Sequence, residues 1–154
     1  MHVFFSVYLC DVCTLSLELM DPVAQPIKLL LAEDDLSLAD IYGTRFEAEG
    51  FTLTHAADGE AALNAIRQDH PDLVLLDLMM PKMSGFEVLE AVKKDPEIKD
   101  TKIVVLSALG EEEAVDKAMA LGAMGYLVKA EVPLADLVAD VRKYAAADAS
   151  QTNV

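Results

Sequence analysis

Short apolar runs alternate with stretches in which apolar residues recur every three or four positions, beginning at Ile27. Short apolar or alternating runs indicate strands, and the wider spacing indicates amphipathic helices. The runs predict strands at 27–32, 51–56, 73–76, 103–106 and 123–128. The periodic stretches predict helices that end at Gly50, that occupy 58–69, 86–94 and 111–121, and that begin at Pro133 as a first helical residue.

The alternation of strands and helices predicts the fold class. Successive strands joined through helices lie parallel, and right-handed crossovers place the helices on both faces of the sheet. We therefore predict an α/β fold with a doubly wound, five-stranded parallel sheet and five helices. This domain spans residues 27–146, and a short polar tail follows at 147–154.

Composition and charge narrow the function. The chain has 154 residues, 53% of them hydrophobic, which is the size and composition of one folded domain. Its formal net charge is -15. Such a charge repels phosphate backbones and anionic lipids, so we predict no direct contact with nucleic acid and none with membranes.

Residues 1–26 differ from the rest, and we interpret them as an N-terminal extension outside the domain. Their apolar run at 3–9 follows no Lys or Arg and is soon interrupted by Asp11. The run is therefore a poor signal peptide, and it is too short to span a bilayer. Our hypothesis is that residues 1–19 lie upstream of a native start at Met20.

The two cysteines, Cys10 and Cys13, lie in this extension. Their spacing suits a redox pair or half of a zinc site, but the strand–helix context and the further ligands are missing. We therefore assign them no site. The absence of cysteine elsewhere is consistent with a cytoplasmic location.

Polar residues with reactive side chains follow four of the predicted strands. Because the carboxyl ends of parallel strands meet at one edge of a sheet, we expect these residues to converge there. They are Glu33, Asp34 and Asp35 after the first strand, Asp77 after the third, Ser107 after the fourth and Lys129 after the fifth. Asp35 also suits a simple helix cap.

Crowded carboxylates repel each other unless a cation neutralises them. A hard divalent ion such as Mg²⁺ prefers oxygen ligands of this kind. A carboxylate beside Mg²⁺, with a lysine and a hydroxyl opposite, is suited to accept a phosphoryl group. The sequence thus predicts a phosphoryl-transfer site at this edge.

Four blocks in fixed order carry a family resemblance. The segments LLLAEDD at 29–35, PDLVLLDLMMPKMSG at 71–85, IVVLSA at 103–108 and GAMGYLVK at 122–129 closely resemble the receiver domains of bacterial two-component response regulators. The resemblance covers residues 27–146. It implies the strand order 2-1-3-4-5 and an organisation like that of the stand-alone chemotaxis response regulators.

The resemblance also implies roles for single residues. Asp77 would accept the phosphoryl group from a histidine kinase or a histidine phosphotransfer protein. Ser107 and Lys129 would contact the phosphoryl oxygens, and Tyr126 would be the switch aromatic that turns inward as Ser107 moves. The ligands of Mg²⁺ would be Glu33, Asp34, Asp77 and the backbone carbonyl of Met79.

The expected output is contact with a protein partner. Phosphorylation adds about two negative charges, and it would change the surface formed by helix 4, strand 5 and helix 5. That surface would control a downstream protein or form a phosphorylation-dependent homodimer. The domain would not be an enzyme beyond its own phosphorylation and dephosphorylation.

Three positions depart from the family pattern. Ala130 stands where members usually carry proline after the lysine, which affects the loop that follows Lys129. Met79 and Leu109 occupy the positions that tune self-dephosphorylation, and neither side chain can orient water by hydrogen bonding. We therefore predict a long-lived phosphoryl-aspartate.

Other functions remain as alternatives at this point. A pseudo-receiver would keep the fold as a protein-interaction module without phosphorylation. Against this alternative, the chain has all five residues that phosphorylation needs, namely Glu33, Asp34, Asp77, Ser107 and Lys129. A flavodoxin would need a phosphate-binding loop after the first strand, where this chain has three acids. A phosphatase with an aspartate nucleophile would need that aspartate at position 33, where this chain has Glu33.

Overall fold

The computed structural model describes residues 25–147, in which five strands alternate with five helices. The predictions about residues 1–24 and 148–154, including Cys10, Cys13 and a start at Met20, lie outside the described residues. The strands are β1 Lys28–Ala32, β2 Thr52–Ala56, β3 Leu73–Leu76, β4 Ile103–Ser107 and β5 Gly125–Val128. The helices are α1 Leu36–Ala48, α2 Gly59–Asp69, α3 Gly85–Lys94, α4 Glu112–Ala120 and α5 Leu134–Ala146.

The predicted elements are all present, with ends that differ by one or two residues. Pro133 was expected as the first helical residue of α5, but it lies at the N-cap, with ψ of 146°. An extended backbone at the N-cap is the usual way in which the chain enters a helix. The first residues of the fifth predicted strand, Ala123 and Met124, precede β5 and are buried.

The strands form one parallel sheet in the order β2-β1-β3-β4-β5, which confirms the predicted topology. Every residue of β3 and β4 is buried. Strands covered on both faces need apolar side chains on both sides, which explains their continuous apolar runs. The β2 strand forms one edge of the sheet and is mostly exposed.

Each face of the sheet has its own core. One is formed with α2 and α3 and includes Ile66, Val88 and Leu89. The other is formed with α1 and α5 and includes Phe46, Leu137 and Val141. This double cover fixes the strands, and with them the positions of the residues that follow each strand.

Three helices begin with side-chain caps near the carboxyl edge of the sheet. Asp35 caps α1 by accepting hydrogen bonds from the backbone N–H groups of Ser37 and Leu38, as predicted. Asp58 caps α2, and Ser84 caps α3 in a reciprocal capping box with Glu87. No helix in residues 25–147 is long and apolar enough to cross a membrane.

Candidate functional site

Two strand ends bring the first carboxylates together. Residues Ala32 and Leu76 pair across β1 and β3, so Glu33 and Asp77 leave the sheet side by side. The Asp77 N–H donates to the Ala32 carbonyl at 3.0 Å and fixes this register. In two adjacent parallel strands whose last residues pair, the residues that follow lie at the same edge of the sheet.

Carboxylate oxygens of Glu33, Asp34 and Asp77 lie within 4.8 Å of one another. Glu33 is 2% exposed and Asp77 is 5% exposed, whereas Asp34 is open to solvent. Burial raises the pKa of Glu33, and the neighbouring charge of Asp77 raises it further, while Lys129 opposes the change. The cluster is thus a set of mutually repelling acids that a cation stabilises.

Lys129 supplies a cation from the end of β5. Its Nζ donates to Glu33 Oε2 at 2.5 Å and to Asp77 Oδ2 at 2.8 Å. Burial acts to lower the pKa of Lys129, but hydrogen bonds and charges from Asp77 and Glu33 outweigh it, and the pKa is raised. The lysine therefore stays protonated between two buried carboxylates.

The loop after β5 holds Lys129 in position although the next residue is Ala130 and not proline. Lys129 N–H donates to the Ser107 carbonyl at 2.9 Å, and Glu131 N–H donates to the Val128 carbonyl at 2.9 Å. No peptide bond in residues 25–147 is cis. A trans link to Ala130 is therefore compatible with the contacts of Lys129.

Ser107 ends β4 next to the cluster but bonds elsewhere. It is fully buried, and its Oγ accepts a hydrogen bond from the Leu109 N–H at 3.2 Å. In the described part of the chain, its hydroxyl is not bonded to Asp77. Ser107 thus lies at the predicted edge, with its hydroxyl held by the loop that leads to α4.

Tyr126, on β5, contacts that same loop. Its hydroxyl donates to the Leu109 carbonyl at 2.7 Å, and its ring is half-buried. Burial raises the pKa of Tyr126. The aromatic predicted as the switch is therefore joined to the backbone two residues beyond Ser107.

Met79 lies two residues beyond Asp77. Its N–H donates to Asp77 Oδ1 at 3.1 Å, and its side chain reaches solvent with 60% exposure. The backbone of Met79 is therefore next to the carboxylates. Its carbonyl as a metal ligand stays a prediction.

The donor set fits a hard divalent cation. Three carboxylates in mutual reach supply the oxygen ligands that Mg²⁺ prefers, and the exposed Asp34 leaves one side open to water. No nitrogen or sulfur ligand is part of this cluster. The chemistry of the residues therefore agrees with the predicted metal.

Sequence reasoning missed two contacts around this site. His55, near the end of β2, places its Nε2 2.8 Å from the Glu33 carbonyl oxygen. Lys82 reaches across to Asp58 with a distance of 2.6 Å from Nζ to Oδ2. The only sequence signal for His55 is its place one residue before the end of a strand, which does not distinguish it from a surface residue.

Comparison with known proteins identifies the family of this chain. The response regulator receiver domain family matches residues 29–142. The chain belongs to this family, a class of phosphorylation-dependent signalling domains.

Proteins similar to this chain include longer regulators. The chain is 40% identical over 102 residues to the probable transcriptional regulator ycf27 of Guillardia theta, covering 66% of this chain and 39% of that protein. It is 38% identical over 123 residues to the DNA-binding response regulator MtrA of Mycobacterium bovis, covering 80% of this chain and 51% of that protein. The chain thus spans about half the length of these curated relatives, or less.

Solved structures show the same fold. The receiver domain of Francisella response regulator 1452 has a TM-score of 0.72 with 31% identity, covering 77% of this chain and 96% of that chain. The chemotaxis response regulator CheY4 of Vibrio cholerae has a TM-score of 0.71 with 28% identity, covering 77% of this chain and 98% of that chain. The stand-alone organisation stays a prediction.

One prediction needs correction. The net charge led us to expect no contact with nucleic acid, yet a relative that covers 80% of this chain is a DNA-binding response regulator. Charge describes only the residues that carry it, and this chain spans 51% of that relative's length. The charge argument therefore does not exclude a DNA-binding function for a whole regulator.

Proposed function

We propose that this domain accepts a phosphoryl group on Asp77, with Mg²⁺ at the carboxylate cluster, and passes the signal to a protein partner. The observation that carries the proposal is the convergence of Glu33, Asp34, Asp77 and Lys129 at one sheet edge. All the proposed site residues lie within residues 29–142, the part of the chain that matches the receiver domain family.

Asp77 is the proposed nucleophile. One of its oxygens is held by the Met79 N–H and the other by Lys129, so the carboxylate is oriented before any donor arrives. One carboxylate oxygen forms the new bond to phosphorus while the bond from phosphorus to the histidine nitrogen of the donor breaks. The bonding electrons leave with the imidazole, which takes up a proton.

Glu33, Asp34, Asp77 and the Met79 carbonyl would hold the metal. Bound Mg²⁺ would offset the negative charge on the phosphoryl oxygens. Glu33 and Asp77 are buried and already oriented by Lys129, which reduces the reorganisation that binding requires. Asp34 is exposed, so a cation bound there would stay accessible to solvent and to a donor.

Lys129 and Ser107 are the proposed contacts for the new phosphoryl group. Lys129 Nζ already lies 2.8 Å from Asp77, so it can pair with the added charge. Ser107 would leave its bond with the Leu109 N–H to donate to a phosphoryl oxygen. That exchange would move the loop which Tyr126 also contacts, and Tyr126 would turn inward.

The switch would change the surface formed by α4, β5 and α5. We propose that a downstream protein or a second copy of the domain reads this surface. The donor would be a histidine kinase or a histidine phosphotransfer protein, and the location would be the cytoplasm.

Incubation with acetyl phosphate and Mg²⁺, followed by intact-protein mass spectrometry, tests the proposal. Wild-type protein should gain one phosphoryl group, and Asp77→Asn should gain none. Equal, negligible labelling of both would favour the pseudo-receiver. Addition of a chelator should abolish labelling of the wild type, since the carboxylates would lose their cation.

A further inference from the structure

The segment 79–83, in the middle of the β3–α3 loop, has an apex that is held from outside the loop. At the apex, Lys82 has a φ of 63°, in the left-handed region. Met83 N–H donates to the Pro81 carbonyl at 2.7 Å and closes the turn around it. A lysine keeps this backbone conformation only where its surroundings hold it.

An ion pair connects this apex to α2. Lys82 Nζ donates to Asp58 Oδ2 at 2.6 Å. The other oxygen of Asp58 accepts from the Ala61 N–H at 2.8 Å, so the carboxylate is fixed as the cap of α2. The Asp58 side chain is 13% exposed and the Lys82 side chain is 59% exposed, so the carboxylate is held in place while the lysine remains in contact with water.

A close backbone approach holds the same loop a second time. A Cβ at Gly59 would lie 2.0 Å from the Met83 carbonyl oxygen, so the first residue of α2 packs directly on the loop. The contact is steric and the Asp58–Lys82 pair is ionic, and both connect the start of α2 to the turn. The loop position is therefore set by α2 as well as by β3.

This loop begins at the residue that borders the carboxylate cluster. Met79 N–H bonds to Asp77, and the Met79 carbonyl is the proposed fourth ligand. We propose that Asp58 and Lys82 are positioning residues: their ion pair fixes the loop that carries the Met79 carbonyl and so sets the affinity for the divalent cation. The inference rests on the proposed function of the site.

The test is the Mg²⁺ affinity of Lys82→Met, measured by calorimetry. Lys94→Met is the matched control, because Lys94 forms a surface pair with Glu90 at 3.5 Å and its loss changes the net charge equally. Removal of a positive charge alone favours cation binding through the long-range field. We expect Lys82→Met to bind Mg²⁺ about fivefold more weakly than the control. This loss of affinity is smaller than the one that follows removal of a group hydrogen-bonded directly to a metal ligand.

Asp58→Asn separates the ion pair from the helix cap, because asparagine caps a helix as well as aspartate does. It should weaken Mg²⁺ binding as Lys82→Met does, and the double variant should be no weaker than either single variant. Lys82→Arg should keep the wild-type affinity. Equal affinities of Lys82→Met and Lys94→Met, or additive effects in the double variant, would overturn the inference.

Labelling by acetyl phosphate gives a second readout. Lys82→Met should need more Mg²⁺ for half-maximal labelling and should reach the wild-type maximal rate. A lower maximal rate with unchanged Mg²⁺ dependence would contradict a positioning role. If wild-type protein is not labelled at all, the proposed function fails, and the Mg²⁺ affinities still decide whether the ion pair positions the loop.

Discussion

The hydroxyl of Tyr126 donates to the Leu109 carbonyl at 2.7 Å, which joins the edge strand β5 to the loop between β4 and α4. The same loop holds Ser107 through the Leu109 N–H. The N–H of Leu109 thus bonds to Ser107 and its carbonyl bonds to Tyr126, and both are proposed switch residues. A movement of Ser107 would disturb the contact of Tyr126.

Tyr126→Phe should destabilise the unphosphorylated protein by about 1 kcal/mol, the usual net value of one hydrogen bond. If Tyr126 turns inward on phosphorylation, the bond to Leu109 is absent from the phosphorylated form, and the substitution should cost that form less. Urea denaturation with and without acetyl phosphate measures both. An equal loss in the two forms would show that this bond takes no part in the switch.

Lys129→Met should leave the buried carboxylates of Glu33 and Asp77 without their cation. We expect the metal-free protein to lose about 2 kcal/mol, less than for a fully buried pair because the lysine side chain is 14% exposed. Mg²⁺ should stabilise this variant more than it stabilises wild type, since it would replace the missing charge. Thermal unfolding with and without Mg²⁺ checks this, and identical Mg²⁺ effects would refute it.

Gly85→Ala should disturb the backbone around Asp77. The added Cβ would lie 2.3 Å from the Asp77 carbonyl oxygen and 2.8 Å from Leu78 Cα, and neither backbone atom can move freely. We expect a loss of about 2 kcal/mol, as for overpacking in a core. Gly110→Ala is the control, because its Cβ would meet Val128 at an ordinary 3.5 Å. Urea denaturation should show a much smaller loss for the control.

Met79→Asn should shorten the lifetime of the phosphoryl group. The exposed methionine cannot orient an attacking water, whereas an asparagine amide can. We expect a wild-type half-life longer than seconds with Mg²⁺ and no phosphatase, and a severalfold shorter one in the variant. Met119→Asn, at another exposed methionine, controls for the added polar group. A wild-type half-life of seconds would count against the prediction.

Glu87→Gln should change how stability depends on pH. The Ser84 N–H and hydroxyl both donate to the Glu87 carboxylate at 2.8 Å, and the backbone bond is the main cause that lowers the pKa of Glu87. A carboxyl group whose pKa is lowered in the folded state stabilises the protein at pH values above its ordinary pKa of about 4.3. This contribution to stability is lost as the pH falls through the folded-state pKa. Glutamine keeps the capping geometry but does not titrate. The stability of wild type relative to the variant should therefore be constant near neutral pH and fall once the pH drops below the ordinary carboxyl pKa, as denaturation at each pH would show.

The convergence of the site residues followed from the sequence with little ambiguity. Apolar periodicity is a local property, so the strands at 73–76 and 103–107 could be located without the fold, to within a residue. The parallel alternation then placed Asp77, Ser107 and Lys129 at one edge. The family resemblance supplied the strand order, which periodicity alone does not fix.

The sequence by itself determined which residues follow the strands and which chemistry they can perform. Tertiary structure decided the pairings: that Lys129 bonds to both Glu33 and Asp77, that Tyr126 bonds to Leu109, and that Lys82 reaches Asp58. These contacts join residues between 17 and 96 positions apart. Strand order and helix packing decide which residues distant in sequence come into contact. Local periodicity indicates secondary structure and does not predict these contacts.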